Sequence, residues 1–155
     1  LGDLLAEEAE LREKIKSLMG PAPEWPENPP RELTAAYFNE IVVGDLSAVL
    51  GVEAAMNDCV QFPCMATFAM PLAEREEALI LDVMELRNGL FQEWGKDRVA
   101  WASEWGAYSD SAGQDWFMVT VAIAPEGASE GFEQRLAARA VLQKLALRRE
   151  FGLME

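Results

Sequence analysis

The sequence of 155 residues contains no histidine. That absence removes the commonest general acid–base and the commonest zinc ligand together. Every nucleophilic triad built on Ser-His or Cys-His goes with it. Cysteine occurs only twice, and two thiolates leave a tetrahedral zinc site two ligands short, so no metal site is expected. Positive charge is scarce as well: 13 Lys and Arg stand against 27 Asp and Glu, a net charge of −14. Such a charge repels phosphate backbones and anionic lipid headgroups, which argues against nucleic acid and anionic membranes as partners. No apolar run approaches the roughly 18 residues of a spanning helix, no Gly-rich phosphate cradle occurs, and no signal peptide is visible. Catalysis is left to carboxylates, Lys, Tyr or Cys. Lone acids such as Asp58 and Glu104 have no partner that sequence assigns, so the expectation is a non-enzymatic chain without a cofactor.

What is present organises around Asn57-Asp58-Cys59-Val60-Gln61-Phe62-Pro63-Cys64, which holds both cysteines. Two short apolar runs flank it, Gly51 to Met56 and Met65 to Met70, and together they read as a β-hairpin whose turn contains Pro63. Cys59 and Cys64 then face each other across the strands, within disulfide range. A structural disulfide is expected there; a pair of buried free thiols and a redox switch are the alternatives.

Residues 1–19 carry a helical heptad pattern, with Leu1 and Ile15 at a, Leu4, Leu11 and Leu18 at d, and Glu8 as the charged a position. Leu4, Leu11, Ile15 and Leu18 make a stripe that a lone helix in water leaves unburied. The stripe predicts either pairing with a second copy or docking on the chain's own domain. Residues 20–31 hold five of the eight prolines. Gly20 caps the first helix, and an extended arm holding that helix away from the domain is expected, which favours self-association. Trp25 is expected to anchor the arm. The chain starts at Leu1 without Met and already in helical pattern, as it would if an upstream segment had been removed.

The domain proper is expected over 32–155. Thr34 caps a helix ended by Gly44, with Asp45 starting one further turn. Residues 72–94 repeat Leu79, Val83, Leu86, Leu90 and Trp94 at helical spacing, with Glu74, Glu76 and Glu77 in the first turn. A second hairpin alternates Val99, Trp101, Ser103 and Trp105 in one strand with Phe117, Val119, Val121 and Ile123 in the next. Its turn, Asp110 to Asp115, fails the calcium-loop pattern at Ala112 and Gln114. Ser129 caps a last helix over 130–151, where Arg135, Arg139, Lys144, Arg148 and Arg149 complement the dipole or present a docking face. The order α-β-β-α-β-β-α predicts an α+β fold, two hairpins forming one antiparallel sheet with helices on one face.

Two resemblances follow. The helical start, the Pro23-Glu24-Trp25-Pro26 arm and Asp58-Cys59 followed by Phe62-Pro63-Cys64 resemble a loose group of envelope proteins of myxobacteria-type bacteria. That resemblance implies a periplasmic or extracellular α+β domain on a coiled stalk. The acidic composition and element order are similar to type III secretion chaperones, which implies a cytoplasmic dimer that binds polypeptide segments. The chaperone likeness implies protein binding, while the envelope group carries no known activity; the expectation for this chain is a non-catalytic interaction domain. The expected contact residues are Trp101, Trp105, Trp116, Arg148 and Arg149, and the expected partner is another protein or a second copy.

Overall fold

Strand alternation divides this molecule into layers. In the computed structural model, which describes residues 2–19, 23–72 and 76–155, β1 (Met56–Asp58), β2 (Met65–Pro71), β3 (Val99–Ser109) and β4 (Asp115–Ile123) form one antiparallel sheet. Its order is β1-β2-β4-β3, so β4 is central and β3 lies at an edge. Residues of β4 are apolar on both faces, and both faces are covered. Phe117, Val119, Val121 and Ile123 join Ala66 and Phe68 of β2 on the first face; Met118 and Ala122 join Met65 on the second. The α+β fold with an antiparallel sheet is as the sequence predicts. Helices on a single face are not: α5 (Glu130–Phe151) covers the second face through Leu136 and Leu147. A strand with no polar side has to be sandwiched, because each exposed large apolar side chain forgoes about 1.5 to 3 kcal/mol of burial.

On the first face lie α2 (Ala35–Tyr37), a π-helical turn (Phe38–Val43), α3 (Gly44–Leu50) and α4 (Glu76–Trp94). Thr34 caps this run by accepting from the Tyr37 N–H at 3.2 Å. Gly44 does not end it, contrary to expectation; its φ of −60° and ψ of −45° are helical, and the stop comes at Gly51 with φ 74°. Only a residue that tolerates left-handed backbone closes a helix this way. Phe38, Val42, Leu46 and Leu50 then meet Leu79, Val83 and Leu90 of α4 over the sheet. Gly95, at φ 91°, stops α4. Of the acids expected in its first turn, Glu74 lies outside the described residues, as do Leu1 and the Gly20 cap.

The helix α1 (Gly2–Met19) lies along α5 of the same chain. Arg149 reaches Glu8 at 3.4 Å, and the Arg135 guanidinium donates to the Met19 carbonyl. The arm therefore does not hold α1 away from the domain. Proline fixes φ but leaves the chain direction open at every intervening residue, so an extended arm can still turn back. Trp25 anchors it as expected: the indole N–H donates to the Cys59 and Val60 carbonyls, each at 3.1 Å, and the ring packs edge-on to Phe62 at 5.1 Å. Leu11 stays 47% exposed and Ile15 is partly buried, while the side chains of Leu4 and Leu18 lie outside the described residues.

Candidate functional site

Cys59 and Cys64 are bonded, S–S 2.05 Å. They sit just outside the ladder, which ends at the Asp58–Met65 pair, and so close a loop of six residues rather than cross-linking paired strand positions. Behind that loop lies a polar seam that local sequence pattern does not announce. Arg139 of α5 is only 4% exposed, and its guanidinium donates to the Pro63 carbonyl at 2.7 Å and reaches the Asp58 carboxylate at 3.4 Å. Burial pushes Arg139 below its ordinary value, and the Asp58 charge works against that. Arg139 is therefore a clamp on the disulfide loop and not a cation placed for the helix dipole. One turn on, Gln143 donates to the Met65 carbonyl at 3.2 Å and accepts the Thr67 hydroxyl proton at 2.6 Å. With that proton committed, the Thr120 hydroxyl donates to Thr67 at 2.7 Å. The i, i+4 spacing of Arg139 and Gln143 puts both on the sheet-facing side of α5. That spacing was the one signal available, and it reads as surface in a helix rich in charge.

The expected contact residues do not form one surface. Trp101 and Trp105 lie on the first face; Trp105 stacks on Phe117 with centroids 3.9 Å apart. Trp116 lies on the second face, against Phe151, and its N–H is held by Asp110 at 2.9 Å. Odd and even positions of antiparallel strands point to opposite sides, so Trp116 cannot join the other two. Arg148 stacks over Tyr108 at 4.5 Å, and Arg149 is the residue that pairs with Glu8. Both arginines are engaged within the chain.

What the fold leaves open is the outer edge of β3. The Ala124 N–H donates to the Arg98 carbonyl at 2.7 Å, which places residue 98 among those that bond β4. Alternation along the register assigns Ala100, Ala102 and Glu104 to the same set and turns Val99, Trp101, Ser103 and Trp105 outward. The Val99 N–H indeed points away from β4, to Gly95. At the far end a bulge after Trp105, with Gly106 at φ 72°, breaks the register, and Ser109 pairs with Met154 on the outer side. Among the described residues no backbone group bonds the outward side of Trp101, Ser103 or Trp105. Edge strands are ordinarily blunted by Lys, Pro or brevity. Val99 to Trp105 has no Lys, Arg or Pro, and its single acid, Glu104, is tied to Lys144 at 2.5 Å. The opposite edge, β1, is three residues long and ends in the clipped loop.

Beside this edge, between β3 and α5, opens a cavity of about 430 Å³ lined by Ala100, Ala102, Ala122, Leu136, Ala137 and Ala140 among others. Small side chains on both walls produce it: where alanine faces alanine, a helix resting on a sheet leaves space. Lys96, Asp97, Arg98 and Glu133 stand at the cavity, and Arg98 is engaged by Glu32 at 3.0 Å. Among the described residues no three His, Cys, Asp or Glu side chains converge as metal ligands would, and no helix is long and apolar enough to cross a membrane.

Charge at the periphery sets the pH response. Three hydrogen bonds, that from the Trp116 indole foremost, hold the Asp110 carboxyl below its ordinary value. For Glu32, burial raises the carboxyl, but a backbone N–H and Arg98 outweigh it and the net shift is downward. Groups lowered on folding stabilise wherever the unfolded chain's carboxylates are ionised, and that contribution disappears as pH falls through the folded values. Stability to urea is therefore expected to fall as pH drops below about 4.5, the ordinary glutamate value, and Glu32→Gln is expected to flatten that fall. Lys144 behaves oppositely: burial lowers it, yet the hydrogen bond and charge of Glu104 raise it on balance, so its contribution is lost at the alkaline end.

No family model, curated protein or solved structure matches the chain.

Proposed function

We propose that this chain is a non-catalytic protein-interaction domain that takes up an extended polypeptide segment as an added strand on β3. The observation behind this reading is the open edge itself, where Trp101, Ser103 and Trp105 direct N–H and C=O groups away from β4 with no partner among the described residues. A paired strand satisfies both sets of groups at once, which gives affinity with little dependence on sequence, and neighbouring side-chain sites then add selectivity. Trp101 and Trp105 flank the outward groups on one face, and the Trp101 indole N–H is shielded from solvent without an acceptor among the described residues. The Cys59–Cys64 bond favours an oxidising compartment, the periplasmic or extracellular side of the envelope, since reducing cytosol keeps such pairs open. Polypeptide binding is also what the likeness to secretion chaperones implies; the disulfide speaks against that cytoplasmic setting.

Ser103→Pro tests the proposal. Ser103 bonds outward, so proline there removes a donor from the free edge and none from the β3–β4 ladder. The variant is expected to fold with an unchanged urea midpoint and to lose at least about tenfold in affinity for strand-forming peptides, measured by fluorescence anisotropy. Equal binding by the variant and the unaltered chain would remove the edge from consideration.

A further inference from the structure

Resting on the strand-addition reading, we infer that the cavity between β3 and α5 is a side-chain pocket for the incoming strand, and that the partner is a basic segment alternating with apolar residues. A strand added beside β3 lies about 4.8 Å from it and sends alternate side chains to opposite faces of the sheet. On the second face those side chains enter the space beside Ala100 and Ala102, roofed by Leu136, Ala137 and Ala140 of α5. An opening of about 430 Å³ with alanine on both walls accommodates a branched aliphatic or aromatic side chain and offers a polar one little in exchange for its lost water.

On the first face the intervening side chains come to lie beside Trp101 and Trp105, two indoles at an edge. Cations suit that position, because the face of an indole attracts them. Long-range charge agrees: the chain carries −14, and with Arg98 held by Glu32 the cavity rim presents Asp97 and Glu133 against Lys96. An acidic strand meets repulsion from the whole molecule. A second copy of this chain brings a second charge of −14 to the same edge, and its own β3 supplies only alanine and Glu104 on the cavity side between Val99 and Trp105.

The probe is a fluorescein-labelled peptide, Lys-Thr-Lys-Leu-Lys-Thr-Lys, titrated with the full chain and read by anisotropy. Its companions carry Ser in place of the central Leu, or Glu in place of every Lys. The leucine peptide is expected to bind about tenfold or more tightly than the serine peptide, and the glutamate peptide not at all. Ala137→Phe, at an exposed position over the mouth of the cavity, is expected to abolish the preference for leucine while leaving affinity for the serine peptide in place. Ser103→Pro is expected to abolish binding of both.

Loss of binding in Ser103→Pro with equal affinities for the leucine and serine peptides leaves strand addition standing and defeats the pocket. A leucine preference that survives Ala137→Phe defeats it too. Peptide binding indifferent to Ser103→Pro sinks the strand-addition reading, and this inference with it, as does failure of every peptide to bind. A dimer of the unaltered chain that Ser103→Pro dissociates and that peptides do not displace assigns the edge to a second copy and overturns the proposal. So does a naphthalene dye that occupies the cavity, is excluded by Ala137→Phe, and is not displaced by the leucine peptide.

Discussion

Arg139→Ala is expected to lower the unfolding free energy by about 3 kcal/mol, the largest loss foreseen for a single polar residue in this chain. Two effects add. The Pro63 carbonyl, whose residue is buried, loses the donor that approaches it to 2.7 Å. The space of a buried side chain empties beneath the disulfide loop, and surrounding groups collapse into such a space only in part. The Asp58 carboxylate is 29% exposed and recovers water, so the cost stays short of that for orphaning a fully buried charge. Arg139→Met separates the contributions. It refills most of the volume without restoring a donor, and about half of the loss is expected to remain. Urea unfolding followed by tryptophan fluorescence reads both variants; a midpoint for Arg139→Ala shifted by less than about a quarter of the expected free energy would show that the clamp is not structural.

Replacing both Cys59 and Cys64 by alanine is expected to cost about 2 kcal/mol, the loop-closure entropy released in so short a ring. The consequence extends past the loop. The carbonyls of Cys59 and Val60 receive the Trp25 indole, and Phe62 supports its ring, so a loosened loop gives up the anchor of the arm. Amide hydrogen exchange is therefore expected to quicken at residues 23–30 as well as at 59–64 when the bond is removed or reduced. Quickening confined to 59–64 would mean that Trp25 is held by other contacts. Because Arg139 and the disulfide grip the same six-residue loop, their losses are expected not to add: the combined variant should fall short of the sum by about 0.5 kcal/mol or more.

The elements were legible where one physical cause dominates. The last helix begins at the Ser129 cap and runs to Phe151 because capping and periodicity agree, and a glycine at φ 64° closes it. The Cys59–Cys64 bond follows from two cysteines bracketing a turn. Val99 to Ser109 and Asp115 to Ile123 pair as their alternation requires. Two helix boundaries differ from the local reading among the described residues: Leu72 is not helical but donates to the Asp115 carbonyl, and Gly44, read as a stop, lies inside the helical run. Glycine weakens a helix by only about 1 kcal/mol, and the apolar side chains on either side of it, Val42 and Leu46, are both buried in one core. Packing outweighs propensity there.

The candidate site was less legible. Tryptophan marks both core and interface, and sequence cannot say which. Parity along the strands separates Trp116 from Trp101 and Trp105, and the bulge at Gly106 shifts the register by two residues and so leaves that parity unchanged. That β3 rather than β2 lies at an edge is also beyond local pattern, since β2 and β3 both read as apolar strands. Sequence by itself determined the Thr34 and Ser129 caps, the second hairpin, the disulfide and the sign of the charge, because each depends on residues a few positions apart or on composition alone; the first strand of the cysteine hairpin, read over 51–56, lies instead at Met56–Asp58. Tertiary structure decided the strand order, the burial of Arg139 against Pro63, the return of α1 onto α5 and the opening beside Ala100. Those depend on which distant surfaces meet, and many apolar surfaces of similar size compete for the same contact until volume, register and hydrogen-bond satisfaction select among them.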